Sequence, residues 1–236
     1  HRDLHLSIRR QRQMCIRDRV RIVRKTEPAV AAAASLVYFT DGPLVDSPRL
    51  QNLSQVTEAM LSNPPADDWL NWRRTRDSTG HRPLNQITKD NVNDLQLTWS
   101  WSLPEGFNMM APLIHDGILF AYSFGDVVQA FDATTGDLLW GYQRALDGGA
   151  SHDSKKGAAI YADKIIIPTS DMHLIALDMK TGQVVWDHDV DIGDEDGHLF
   201  KSAPLIANGK AIIGLSGYEA VEGGNFILAV DLETGE

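Results

Sequence analysis

The chain has 236 residues, of which 43% are hydrophobic and 23% charged, and its formal net charge is −10. These values are ordinary for a globular protein, and the acidic balance argues against nucleic acid as a partner because phosphates repel a negative surface. The single cysteine, Cys15, excludes an internal disulfide, and no apolar run is long enough to predict a membrane-spanning helix.

Positive charge is concentrated at the start of the chain. Residues 1–25 contain nine Lys or Arg and two Asp or Glu, whereas the rest contains 13 and 30. Residues 1–20 lack apolar periodicity, and QRQMCIRDR at 11–19 resembles translated sequencing-adapter sequence. We therefore predict a non-native leader at 1–20; a basic nucleic-acid arm is the alternative.

Residues 21–66 are predicted to be an irregular leader. The stretch PAVAAAASLVYF at 28–39 follows basic residues, so it is a candidate signal-peptide core. A short alanine-rich helix is the alternative. Further along, Leu95, Leu97 and Trp99 alternate with polar residues, which predicts a strand.

A repeat organises the rest of the chain. Three segments share one pattern: AFDATTGDLLW at 130–140, ALDMKTGQVVW at 176–186 and AVDLETGE at 229–236. The copies start 46 and 53 residues apart. Strand-rich repeats of this period are typical of β-propeller blades.

The repeated pattern predicts a hairpin. Asp132 can accept hydrogen bonds from backbone N–H groups in the turn, and Gly136 can adopt a positive φ there. Trp140 offers a large flat surface for packing against a neighbouring blade. Asp178, Gly182 and Trp186 repeat the arrangement.

A second hairpin precedes each copy, with polar turns at 115–117, 162–164 and 208–210. Two hairpins per repeat give four strands, which make one blade. We therefore predict an all-β fold at 67–236, an incomplete β-propeller of about three four-stranded blades. In a closed propeller, the strand that ends at Trp99 would complete the last blade.

The opening segment and the repeat carry a family resemblance. Asp68-Trp69-Leu70, RPLNQITKDNVNDLQLTWSW at 82–101 and the blade motif resemble quinoprotein methanol/ethanol dehydrogenases, which use pyrroloquinoline quinone (PQQ). The resemblance implies oxidation of an alcohol to a carbonyl, with PQQ and Ca²⁺ or a lanthanide as cofactors. It also implies a cytochrome c-type electron acceptor, a periplasmic location and a homodimer of the full-length parent.

The third repeat carries the predicted metal site. Ser216-Gly217-Tyr218-Glu219 is similar to the family's Ser-Gly-Ala-Glu. The resemblance assigns Glu219 as a ligand of the metal ion and places Ser216, Gly217 and Tyr218 against PQQ. A carboxylate suits a hard cation, and that cation polarises the quinone carbonyl. The alternative is a solvated loop carboxylate.

Two lysines are further candidate cofactor contacts. Lys156 falls where the family has an arginine against the quinone, and Lys201 where it has a PQQ-contacting threonine. A cation at either place could stabilise the reduced quinone or pair with a cofactor carboxylate. An ordinary surface lysine is the alternative for Lys156.

Several departures indicate a divergent branch. The family's adjacent cysteine pair corresponds to Ala150-Ser151, and a glutamate near the cofactor corresponds to Met109. The family's catalytic aspartate and its asparagine metal ligand are expected beyond Glu236. We therefore assign no catalytic residue to this chain and expect an N-terminal fragment that is inactive alone.

The main rival is a non-catalytic propeller scaffold, such as an outer-membrane assembly lipoprotein. It predicts neither the Ser-Gly-x-Glu site nor the Asp-Trp opening, and usually a lipobox cysteine, so the sequence favours the enzyme. The acidic segment 187–196 fails as an EF-hand calcium loop because Ile192 stands in place of the required glycine. A solvated loop between blades is the interpretation we adopt there.

Overall fold

The computed structural model describes residues 42–146, 155–190, 198–217 and 224–236. Within these ranges, twelve strands form three antiparallel sheets that follow one another along the chain. Helical structure there is limited to α1 (Pro48–Asn52), α2 (Glu58–Ser62) and a 3-10 helix at Val92–Asp94. The predicted all-β fold is confirmed. The predicted leader 1–20 and the candidate signal peptide lie outside the described residues, and the domain boundaries stay predictions.

The first two sheets each consist of four neighbouring strands in chain order, as the two predicted hairpins per repeat require. The first sheet contains β1 (Leu113–His115), β2 (Ile118–Ser123), β3 (Val127–Asp132) and β4 (Leu138–Gln143). The second contains β5 (Ala159–Tyr161), β6 (Lys164–Pro168), β7 (His173–Asp178) and β8 (Val184–Asp189).

The third sheet has a divided first strand. Both β9 (Leu199–Phe200) and β10 (Leu205–Ala207) pair with β11 (Lys210–Ser216), at opposite ends of it. The strand β12 (Phe226–Asp231) lies on the other side of β11. Residues 201–204 interrupt the first strand, at the place where Lys201 was predicted to contact the cofactor.

The predicted hairpin turns are confirmed. In the turns after β1 and β10, two successive residues adopt positive φ: Asp116 (48°) and Gly117 (74°), then Asn208 (50°) and Gly209 (71°). Such a pair fits the right-handed twist of the flanking strands. Ala162 adopts a φ of 51° after β5.

The motif aspartates organise the second turn of each repeat. The Asp178 carboxylate accepts hydrogen bonds from the backbone N–H groups of Lys180 (2.9 Å) and Thr181 (2.8 Å). Gly182 then adopts a φ of 73°. The same arrangement recurs at Asp132 and Asp231, with Gly136 at 78° and Gly235 at 79°.

Each motif tryptophan joins two successive repeats. The ring of Trp140 lies so close to Gly182 that an added Cβ would sit 2.5 Å from it. Its indole N–H donates to the Met179 carbonyl at 2.9 Å. Trp186 contacts the next repeat in the same way, over Gly235, and Trp99, which precedes the first repeat, lies over Gly136.

The middle sheet forms the centre of the core. Ile165, Ile166 and Ile167 are successive residues of β6, and all three are fully buried. Successive side chains of a strand point to opposite faces, so both faces of this sheet are covered. The segment before the sheets joins the same core through Leu50, Leu53 and other buried apolar side chains.

The segment around Leu97 differs from its prediction as a strand. Residues 95–101 do not form a strand, and the side chains of Leu95 and Leu97 are 60% and 78% exposed. Within the described part of the chain, no strand forms backbone pairs with this segment. Trp99 nevertheless docks on the first repeat as the tryptophan of a preceding blade would.

Candidate cofactor site

The antiparallel sheets bring the predicted site residues to strand ends. Ser216 closes β11 and pairs in register with Leu199 of β9. Lys201 follows β9 directly, and its ammonium group donates to the Gly217 carbonyl at 3.0 Å. Three predicted cofactor-binding residues, Lys201, Ser216 and Gly217, therefore lie together.

Lys156 lies just before the first strand of the second sheet. Its side chain is exposed, and it lines a cavity of about 380 Å³ together with Trp72, Arg73, Arg76 and Ser202. Ser202 follows Lys201 in the chain, so this cavity adjoins the segment that carries the second lysine. Arg76 is paired with Glu58, so Lys156 and Arg73 are the cationic residues of this lining that suit an anionic ligand, such as a cofactor with carboxylates.

Tyr218 and Glu219 lie outside the described residues, as do Ala150 and Ser151. The metal-ligand role of Glu219 and the contact of Tyr218 with PQQ therefore stay predictions. Gly217 is the last residue described before them.

The described part of the acidic segment 187–196 takes part in ion pairs between the first and second sheets. Arg144, which follows β4, donates to Asp187 of β8 and, at 2.9 Å, to Asp171. His173 Nδ1 lies 2.6 Å from the other oxygen of Asp187. These pairs satisfy both oxygens of the Asp187 carboxylate.

Sequence reasoning missed a buried histidine cluster. His115 is fully buried, with Nδ1 at 2.7 Å from an oxygen of Asp68 and Nε2 at 3.0 Å from the Ser54 carbonyl. Asp116 accepts a hydrogen bond from the Ser54 hydroxyl at 2.6 Å. Ligand atoms of Asp68, His115 and Asp116 lie within 4.8 Å of one another, as in a metal site, yet hydrogen bonds satisfy them. Asp68 and His115 are 47 positions apart in the chain, so no local pattern indicated the pair.

Both partners of the His115 ring are acceptors, which favours its charged form. Burial acts against that charge, but the hydrogen bonds to Asp68 and Ser54 and the charges of Asp68 and Asp116 outweigh it, so the pKa of His115 is raised above 6.5. A raised pKa in the folded state stabilises the fold fully below the unfolded value, and this contribution is lost as the pH rises through the folded value.

We therefore expect the stability advantage of the chain over His115→Gln to shrink as the pH rises above 6.5. Urea midpoints across this range measure it, and titration of the His115 ring by NMR locates the pKa directly. His81→Gln is the matched control, because His81 is exposed. A difference that grows with pH would contradict the charged pairing.

Comparison with known proteins identifies the propeller sheets. Residues 69–236 match the family model described as the β-propeller domain of PQQ glucose/ethanol/alcohol dehydrogenases. The dehydrogenase subunit of the quinone alcohol dehydrogenase of Gluconobacter oxydans is 31% identical over 91% of this chain and 30% of its own length. The 1-butanol dehydrogenase (cytochrome c) of Thauera butanivorans is 29% identical over 72% of this chain and 26% of its own.

Solved structures show the same likeness. Quinohemoprotein alcohol dehydrogenase ADH-IIG of Pseudomonas putida aligns with a TM-score of 0.70 and 30% identity, over 78% of this chain and 28% of that one. A europium-containing methanol dehydrogenase aligns with a TM-score of 0.65 and 26% identity, over 75% and 32%. The chain therefore spans about a third or less of the relatives it matches.

These findings confirm the predicted family and, at the level of that family, the predicted cofactors PQQ and Ca²⁺ or a lanthanide. Within the part of the chain that the structure describes, no helix is both long and apolar enough to cross a membrane. The match covers more than half of the residues, including all three repeats. The chain belongs to the β-propeller domain family of PQQ-dependent glucose, ethanol and alcohol dehydrogenases.

Proposed function

We propose that this chain is part of a PQQ-dependent dehydrogenase that oxidises an alcohol to a carbonyl. The observation that carries the proposal is the contact of Lys201 with Gly217 beside Ser216, at one end of the third sheet. Three residues assigned by resemblance to cofactor binding lie together there, and the family match covers them.

Lys156, Lys201, Ser216, Gly217 and Tyr218 would hold PQQ, and Glu219 would bind its metal ion. When bound, PQQ with Ca²⁺ or a lanthanide supplies a polarised quinone carbonyl that accepts hydride from the alcohol.

The chain's own residues orient and neutralise the cofactor. The ammonium group of Lys201 holds the Gly217 carbonyl and so fixes the start of the segment that contains Glu219. Lys156 presents a positive charge to the cavity, where it would oppose a carboxylate or a reduced quinone oxygen. The catalytic base is not assigned to any residue of this chain.

Exposed apolar side chains support a larger ring of blades. Ile227 of β12 is 81% exposed and Leu205 of β10 is 55% exposed, on the third sheet. Leu97 is 78% exposed beside the first sheet. Large apolar side chains that are this exposed are typical of surfaces against which other structure packs. Further blades packed against the first sheet and against the third sheet would cover these side chains.

We extend the proposal to the partners and the location. The Thauera butanivorans relative is named for cytochrome c, which supports a c-type cytochrome as the electron acceptor. A periplasmic location fits the candidate signal peptide at 28–39 and the family to which the chain belongs. A homodimer of the full-length parent stays a prediction.

A graft tests the function. Residues 69–236 replace the matching segment of the Pseudomonas putida ADH-IIG enzyme, and bound PQQ and dye-linked alcohol oxidation are measured. We expect the graft to retain PQQ in a metal-dependent way and to oxidise alcohols. Glu219→Ala should weaken metal-dependent PQQ binding by about tenfold or more, whereas Glu222→Ala, a carboxylate in the same stretch, should not. A folded graft without PQQ would favour the non-catalytic scaffold.

A further inference from the structure

A buried ion pair lies next to the predicted quinone contact. The Lys155 ammonium donates to Asp126 at 2.6 Å and to the Ser170 hydroxyl at 2.7 Å. The side chains of Lys155 and Asp126 are only 2% and 1% exposed. Charged groups are rarely buried to this degree unless they are paired and hydrogen-bonded, as both are here.

The pair connects the first two sheets. Asp126 lies in the turn between β2 and β3, whereas Lys155 precedes β5 and Ser170 follows β6. The second carboxylate oxygen of Asp126 accepts the backbone N–H of Ser170 at 2.5 Å. The hydroxyl of Tyr122 donates to the first oxygen at 2.7 Å. Asp126 is thus held from both sheets, at a φ of 53° that aspartate and asparagine tolerate better than most residues.

Lys155 and its neighbour Lys156 lie in different surroundings. Lys155 is buried, whereas Lys156 is exposed and lines the cavity described above. The Lys156 carbonyl also accepts the Ala111 N–H at 3.3 Å, within a parallel bridge between Ala111 and Gly157.

We propose that Lys155 and Asp126 are positioning residues that fix the backbone of Lys156 and so aim its ammonium group at the cofactor. The proposal rests on the proposed function only for the identity of the group that Lys156 faces, which is PQQ. The fixed backbone itself is a property of this chain, and it can be measured without any cofactor.

Lys155→Met tests the pair in two measurements. Met keeps the length of the side chain and removes the charge, leaving Asp126 buried without its cation. In the full chain, we expect hydrogen exchange at the Ala111 amide to accelerate about tenfold or more, because its acceptor is the Lys156 carbonyl. In the graft, we expect PQQ affinity to fall by about tenfold, as for other residues that orient a contacting group.

Lys164→Met is the matched control. Lys164 is also mostly buried, and it also joins two sheets, through Asp163 (3.0 Å) and Glu233 (3.2 Å). It opens β6, at the opposite end of that strand from Ser170. We expect this variant to lower stability while Ala111 exchange and PQQ affinity stay at the level of the unsubstituted protein.

A double variant keeps the test valid if Lys155→Met does not fold. In Lys155→Met/Asp126→Asn no buried charge is left unpaired, and asparagine tolerates the positive φ. We expect it to regain stability while Ala111 exchange stays fast. Native exchange at Ala111 in both Lys155 variants would overturn the positioning role. A graft that binds no PQQ with Lys155 intact would overturn the proposed function instead, and Ala111 exchange would still decide the role of the pair.

Discussion

Replacing Gly182 with alanine is expected to destabilise the chain by about 3 kcal/mol or more, because two costs coincide. The residue has a φ of 73°, which costs roughly 1–2 kcal/mol for a residue with a Cβ. The new Cβ would lie 2.5 Å from the Trp140 ring, and forcing extra atoms into a packed site costs about 1–3 kcal/mol. Urea unfolding of the full chain measures the sum.

Gly209→Ala separates the two costs. Gly209 has nearly the same φ, 71°, but a Cβ added there would meet no atom within 4 Å, so only the backbone cost applies. We expect a loss of about 1–2 kcal/mol there. Equal losses at Gly182 and Gly209 would show that contact with the tryptophan is not what requires glycine in the motif.

Trp140→Ala is expected to be at least as damaging, at about 3–5 kcal/mol. Trp140 is fully buried, its indole N–H donates to the Met179 carbonyl, and its ring lies 6.1 Å from that of Phe120. The substitution therefore removes a large side chain and leaves a cavity between two sheets. The urea midpoint and its slope report the loss.

Trp72→Ala is the control for tryptophan content, because Trp72 is 55% exposed, and it should change the free energy of unfolding by about 1 kcal/mol or less. In a Trp140→Ala background, Gly182→Ala should cost only its backbone share, since the clashing ring is gone. Additive losses in the double variant would contradict the direct contact.

The repeat motif was predictable because the hydrogen bonds and backbone angles of its turn depend on residues that are close together in the chain. Asp178 and Gly182 lie only four positions apart, at one turn, and both the N–H acceptor and the positive φ were predicted from those residues alone. The interpretation of Trp140 as a surface for the neighbouring blade was also confirmed. The strand predicted to end at Trp99 did not appear, because a strand needs a pairing partner and, within the described ranges, none is paired with it.

The buried contacts of Lys155 and His115 could not be predicted from the sequence. Lys156 was predicted as a cofactor contact because of the family resemblance. No motif indicated a role for its neighbour Lys155, which is the buried one of the two lysines. Its partner Asp126 lies 29 residues away, in another repeat. The same holds for His115, whose partners Asp68 and Ser54 belong to the segment before the sheets.

By itself the sequence determined the all-β class, the repeat length, the turn chemistry and the family, because each depends on neighbouring residues or on the spacing of the repeats along the chain. Only the tertiary structure decided which side chains are buried and paired. Packing of the first sheet on the second buries Lys155 against Asp126 and leaves Lys156 exposed. The pairing of β9 with β11 brings Lys201 to Gly217. Charge burial depends on atoms that meet only after the chain has folded, and no local pattern of residues encodes them.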